Sequence, residues 1–262
     1  MAKPTVVFIH GLWIHASSWQ PWMDLMKSEG YGSINPGWPG DEPTVDACRK
    51  NPEAMANRGV KEVADHFEKI ISTLSSPPIL IGHSFGGLLA QILLGRGIAA
   101  AAIAIDPAPM KGVWQLPLSA LKSSLPVLSN PFNLKKAVSL SFPQFQYAFA
   151  NAVPEAEARE LYERLTIPAP ARPLFQAASA SIAGSETKVN TSNTNRGPLL
   201  ITGGEKDHIA PPILGRASAG KYNKSVVTDF KLFADRGHSL ASDHGWKEIA
   251  EYSLTWLSQS KY

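Results

Sequence analysis

Gly82-His83-Ser84-Phe85-Gly86-Gly87 decides how the rest of the chain is read. The run before it, Pro78-Ile79-Leu80-Ile81, is short, apolar and fenced by Pro77-Pro78, which marks a buried strand. The run after it, Leu88-Leu89-Ala90-Gln91-Ile92-Leu93-Leu94, continues as a helix whose stop falls near Gly95 or Gly97. A strand, a one-residue turn and a helix form the setting in which G-x-S-x-G places a serine on a strained corner with its hydroxyl exposed. Small residues at Gly82 and Gly86 let strand and helix converge there. The helix N-terminus behind Ser84 offers unpaired N–H groups where negative charge would develop on a substrate oxygen. A turn whose serine only caps the helix would not need all of these neighbours.

Upstream, Thr5-Val6-Val7-Phe8-Ile9 is a β-branched apolar run of the kind buried on both faces of a parallel sheet, and it ends in His10-Gly11-Leu12-Trp13. Ser17 or Ser18 is expected to cap a helix carrying Trp19, Trp22, Met23 and Met26 on one stripe, with Gly30 as its stop. A strand is expected near Tyr31 to Asn35. Asn51-Pro52 reads as the opening of a helix with Val60, Val63, Ala64, Phe67, Ile71 and Leu74 inward. Ile98 to Ile105 is a further strand, ending at Asp106-Pro107, where the proline predicts an extended Asp106 at the entrance to the next segment. From about Pro109 to Arg196 prolines recur and short helical pieces replace the alternation, the clearest from Glu155 to Leu165. Strands return at Pro198 to Thr202 and near Ser225 to Phe233, with helices after Pro211-Pro212 and around Trp246 to Leu257. Alternating strands and helices predict a mostly parallel α/β sheet flanked by helices. A core of residues 1–109 and 195–262 would carry a helical cap of residues 110–194, inserted between the fifth and sixth strands.

Composition narrows the function. Hydrophobic residues make up 44% and charged residues 18% of the 262, a globular balance that disfavours disorder and coiled coil. A net charge of +3 is too small to argue for nucleic acid or a membrane surface as partner. No run of about 18 apolar residues spans a bilayer, and the five after Met1-Ala2-Lys3-Pro4 are too few for a signal-peptide core, so a cytoplasmic location is expected. The single Cys48 excludes an internal disulfide and, lacking an elbow, reads as structural.

A serine at its free pKa needs a base, and the base needs an orienting acid. Thr202-Gly203-Gly204-Glu205-Lys206-Asp207-His208 follows one strand end and offers Asp207; Asp235-Arg236-Gly237-His238-Ser239 follows the next and offers His238. Asp106, at another strand end, is the rival for the acid. His15, His66, His208 and His244 lack convergent partners at metal-ligand spacing, so no metal is expected.

On the elbow, the His10-Gly11-Leu12-Trp13 turn and the acid and histidine loops in that order, the chain resembles the α/β-hydrolase superfamily over essentially its whole length. It is most similar to small bacterial esterase-like members and the branch of plant methyl esterases and hydroxynitrile lyases. The resemblance implies an α/β-hydrolase fold, catalysis by Ser84, Asp207 and His238, and an oxyanion hole from the backbone N–H groups of Leu12 and Phe85. It implies no cofactor and a small-molecule ester as partner. Hydroxynitrile lyases carry Thr and Lys where this chain has Gly11 and Ser239, which disfavours their reaction. A cofactor-free perhydrolase or haloperoxidase-like activity, a lactone or carbamate hydrolase, and a non-catalytic ligand-binding receptor remain as alternatives. Trp13, Trp114, Phe142 and Phe145 are candidates to line an apolar pocket, although the cap aromatics could equally hold the cap to the core.

Overall fold

Val6–Ile9 forms β1, four apolar residues with no exposed surface. The computed structural model describes residues 3–180 and 186–262. After β1 come α1 (Gln20–Ser28), β2 (Ser33–Ile34), α2 (Val45–Lys50), α3 (Val60–Ile71), β3 (Ile79–His83), α4 (Phe85–Gly95) and β4 (Ala101–Ile105). The insert contributes α5 (Leu118–Leu128), β5 (Ala137–Val138), α6 (Phe142–Ala148), α7 (Glu155–Leu165), β6 (Ala169–Pro170) and α8 (Arg172–Ser179). The chain then closes with β7 (Leu199–Gly204), α9 (Pro212–Ala219), β8 (Thr228–Phe233) and α10 (Trp246–Gln259).

The main sheet has the order β2-β1-β3-β4-β7-β8, and every pairing in it is parallel. Side chains alternate across it, as a period of two requires. Val7, Ile9, Leu80, Ala102 and Ile201 pack on one face with α3 and α4; Val6, Phe8, Ile81, Ile103 and Leu200 pack on the other with α1 and α10. From α3, Val60, Val63, Phe67 and Ile71 are buried, each contributing about 1.5–3 kcal/mol of transfer free energy.

Several local expectations are corrected. α3 begins at Val60 after Gly59; Asn51-Pro52 instead ends α2 and opens one short turn, Pro52–Met55. Thr44 caps α2 by accepting from Ala47 N–H, so a helix absent from the sequence reading precedes the expected one. The first turn after β1 is capped by His15, whose Nδ1 accepts from Ser17 N–H at 3.2 Å, rather than by Ser17 or Ser18. The insert leaves the sheet after β4, the fourth of its six strands in chain order, and not after a fifth. Among the described residues no helix is long and apolar enough to cross a membrane.

The insert is stitched to the loop after β1. Ile14 bridges Thr166, Ile167 N–H donates to Trp13 O at 3.0 Å, and Trp13 Nε1–H donates to Val138 O at 2.9 Å.

Candidate active site

Ser84 sits between β3 and α4 with φ 57° and ψ −122°, a conformation that costs a non-glycine residue about 1–3 kcal/mol. Three backbone segments meet there at distances that exclude side chains. A Cβ on Gly82 would lie 2.1 Å from Gly86 O, and one on Gly86 would lie 2.0 Å from Ile9 O. A Cβ on Gly11 would lie 2.7 Å from Ser84 Cβ, so the loop after β1 runs directly against the serine. The Ser84 carbonyl accepts from Gly87 N–H at 2.9 Å and from Ala108 N–H at 3.0 Å, tying both α4 and the chain after β4 to the corner. Phe85 N–H, first in α4, has no intrahelical partner. Leu12 N–H has no backbone acceptor among the described residues.

His238 and Asp207 are both buried and paired, Nδ1 to Oδ2 at 2.6 Å. Asp207 Oδ1 accepts from Ile209 N–H at 2.7 Å and Ala210 N–H at 2.8 Å. Burial opposes charge on Asp207, but the neighbouring His238 and these donors hold its carboxyl below the usual range. His238 Nε2 is buried and has no hydrogen-bond partner among the described residues; it is not bonded to Ser84 Oγ. His83, the residue before the serine, brings Nε2 to 2.8 Å from His238 O, and their rings lie 4.6 Å apart. Burial and then the His238 charge push His83 down to about 3, so its neutral ring donates Nε2–H to that carbonyl. The sequence offered no signal for this beyond adjacency to Ser84.

Asp106 does not lie extended at the cap entrance. It has φ +42°, which its short polar side chain tolerates. Its N–H still donates to Thr202 O at 3.2 Å and its Oδ1 accepts from Gly204 N–H at 3.0 Å, so the turn serves the β4–β7 seam. The oxygens of Asp106 and Asp207 and a His238 nitrogen lie within 4.8 Å of one another. Burial and then the Asp207 charge raise the Asp106 carboxyl well above its ordinary range. The rivals for the acid position are therefore neighbours in one cluster.

A cavity of about 120 Å³ opens beside Ser84 and Phe85, lined by Leu116, Leu121, Leu128, Leu174, Ile209 and Leu214 among others. Its walls are aliphatic. The expected aromatic lining is corrected: Trp114 is 66% exposed, Phe142 packs edge-on against Tyr162 at 5.6 Å, and Phe145 stacks on Phe149 at 5.1 Å. Trp13 is held by its bond to Val138 and borders a separate cleft with Leu140 and Tyr162. Among the described residues, the cap aromatic whose ring meets His238 is Phe149. Its ring stands edge-on to His238 at 4.9 Å, and its carbonyl accepts from Ser239 N–H at 2.9 Å.

The alpha/beta hydrolase family model matches residues 6–252. The chain belongs to that family. Family membership accounts for the elbow and for the order of the acid and histidine loops along the chain. No curated protein matches the sequence at a significant level. Among solved structures, the chain is similar to a monoacylglycerol lipase from Paleococcus ferrophilus, at 21% identity and TM-score 0.72, covering 99% of this chain and 97% of that one. It is similar to an extracellular alpha/beta-hydrolase from a Paenibacillus species, at 20% identity and TM-score 0.69, with 97% and 98% covered. A methylesterase from Arabidopsis is similar at 17% identity and TM-score 0.66, with 97% and 99% covered. At such identities the likeness carries the hydrolase fold.

Among the described residues, two carboxylate–histidine clusters have metal-like spacing. In the first, Asp207 and His238 already satisfy one another, Asp207 takes two backbone donors and Asp106 takes Gly204 N–H. In the second, Glu157 is engaged by His244 at 2.8 Å, while Asp243 pairs with Arg236 and accepts from Ser239 Oγ at 2.8 Å. The latter contacts tie α7 of the insert and the segment after His238 together. A larger charged cleft of about 500 Å³, bordered by Lys61, Asp65, His66 and Arg172, includes none of the elbow residues.

Proposed function

We propose that the chain is a serine hydrolase that cleaves a carboxylic ester with a short, apolar acyl group through an acyl-enzyme. The observation that carries this reading is Ser84 on its strained corner, opening into an aliphatic cavity, with the Asp207–His238 pair close behind. Asp207 fixes the proton on Nδ1, which leaves Nε2, without a hydrogen-bond partner among the described residues, to act as the base. Serine–base bonds often close only once substrate is bound. His238 then takes the Ser84 proton as Oγ attacks the ester carbonyl. The unpaired N–H groups of Leu12 and Phe85 receive the developing oxyanion, each such donor contributing about 3 kcal/mol. His238 returns the proton to the departing alcohol and next activates the water that frees the acid. The small aliphatic cavity at Ser84 favours short apolar acyl chains over long ones.

A fluorophosphonate probe and a series of p-nitrophenyl esters of graded acyl length test this. The chain should be labelled at Ser84, lose labelling and turnover in Ser84→Ala, and prefer short acyl groups. An unlabelled, inactive wild-type chain that still binds esters would favour the receptor reading instead.

A further inference from the structure

The net charge of +3 is not spread evenly. Between Asp106 and Glu155 the chain has no acidic residue and four lysines, Lys111, Lys122, Lys135 and Lys136. Among the described residues the same segment holds the most exposed large apolar side chains: Leu118 is 83% exposed, Phe132 80%, Leu116 74% and Trp114 66%, with Leu125 at 56%.

Their arrangement is ordered. In α5, Leu118, Leu121 and Leu125 recur at i, i+3 and i+7, one face of the helix, and that face is the outer one. The inner face buries Ser123, whose hydroxyl donates to His208 O at 3.1 Å, and Val127. The helix thus turns Leu118 and Leu125 outward and a serine inward, while Leu121 and Leu128 reach the Ser84 cavity. Trp114 and Leu116 lead into it and the turn carrying Phe132 comes after it, so the apolar face extends beyond α5 at both ends. Lys135 and Lys136 are exposed at its far end, Lys122 lies over the Tyr147 ring at 4.1 Å, and the core's Lys221 comes within 3.6 Å of a Cβ position on Gly112. Leu116 and Leu121 belong both to this face and to the wall of the Ser84 cavity, so the patch runs into the mouth of the site.

An apolar face flanked by lysines, on a segment without acidic residues, matches one kind of surface: headgroups bearing negative charge over an acyl interior. We propose that this face docks on an anionic phospholipid surface. The mouth of the Ser84 cavity would then open toward the lipid, and ester substrate would enter from the membrane rather than from water. That last step rests on the hydrolase reading; the docking does not.

The test uses the full chain carrying Ser84→Ala, so that hydrolysis cannot alter the lipid. Cosedimentation is measured with phosphatidylcholine vesicles, with and without roughly 30 mol% phosphatidylserine, at low and high salt. Intrinsic tryptophan fluorescence and the melting temperature are recorded alongside. The expected result is a partition at least about tenfold higher on the anionic vesicles, falling with salt. It should drop at least about tenfold in Lys135→Glu/Lys136→Glu and in Leu118→Ser/Phe132→Ser, with unchanged melting temperature. No partition on either vesicle, equal partition on both, or binding indifferent to these variants overturns the proposal. A wild-type dimer in sedimentation velocity that Leu118→Ser/Phe132→Ser dissociates also overturns it, because a second copy would then cover the face. Labelling of Ser84 in the wild-type chain is scored separately, so failure of docking and failure of the hydrolase reading are told apart.

Discussion

Exchanging Asp106 and Asp207, one at a time, for asparagine separates the roles of two carboxyls that share one buried pocket. In Asp207→Asn the amide oxygen is claimed by the N–H groups of Ile209 and Ala210, which now meet Oδ1 at 2.7 and 2.8 Å. The NH2 group must therefore face His238 Nδ1, which has to become an acceptor; Nε2 then carries the proton and cannot take one from Ser84. A wrong tautomer of this kind costs about 10⁴-fold in kcat. Asp106→Asn behaves differently. Its amide oxygen keeps Gly204 N–H, and its NH2 takes the place of Oδ2, which has no hydrogen-bond partner among the described residues, so kcat should stay within about tenfold of wild type. Asp106→Leu leaves Gly204 N–H unpaired, at about 1–3 kcal/mol, and should lower the melting temperature where asparagine does not. Because the folded carboxyl of Asp106 titrates above its unfolded value of 3.8, the stability it contributes is full below that pH and fades as pH rises through the folded value. The stability gap between wild type and Asp106→Asn should accordingly move in favour of the variant with increasing pH. Turnover of a p-nitrophenyl ester and thermal melts across pH measure both. If Asp106→Asn lost as much kcat as Asp207→Asn, or more, the acid assignment and the tautomer argument would both fail.

Contacts elsewhere set three further outcomes. Gly86→Ala puts a Cβ 2.0 Å from Ile9 O, a backbone atom that cannot move aside, so the variant should fail to fold or melt far below wild type in calorimetry. Phe145→Ala removes a fully packed ring stacked on Phe149 and should cost about 3–5 kcal/mol in denaturant melts without changing acyl-length preference, because Phe145 does not border the cavity. His83, held near 3 when folded against 6.5 when free, binds its proton only on unfolding; stability is intact above 6.5 and falls by about 1.4 kcal/mol per pH unit down toward 3. In His83→Phe that acid-side slope should shrink, and kcat should drop as His238 loses the donor on its carbonyl, a pairing that pH-dependent melts and turnover can verify.

The elements that announced themselves in the sequence are those whose local pattern also solves their tertiary problem. Ile79–His83 and Phe85–Gly95 are apolar on all sides and flank a glycine-bounded corner, so periodicity and sterics agree. The α3 stripe from Val60 to Ile71 was legible for the same reason, but its start was not: Asn51-Pro52 is a good opening signal that Thr44 and α2 pre-empt. The positions of Asp207 and His238 could be read from strand ends and order, and the structure pairs them. What faces the serine could not be read. Aromatic content marks the insert as greasy, yet Phe142 and Phe145 meet their own neighbours, while plain leucines from α5 and α8 reach the cavity. Which side of a short helix turns inward depends on partners far away in sequence, and α5 turns Leu118 and Leu125 outward and a serine inward. Asp106 escaped for a related reason. The proline after it predicts extended backbone, and only the Gly204 and Thr202 contacts across the sheet explain the turn it makes.

The bonds from Ile167 to Trp13 and from Trp13 to Val138 bear on how such a chain can be rebuilt or diversified. The insert and the Gly11–Ile14 loop hold each other in place, so they constitute a single module for recombination even though about a hundred residues part them along the chain. A graft that replaces residues 110–194 alone would orphan the Trp13 indole and slacken the very loop that carries Leu12. Cap swaps between relatives should succeed when the donor brings its own version of that loop, and specificity changes acquired in the insert should arrive together with substitutions at Trp13 and Ile14.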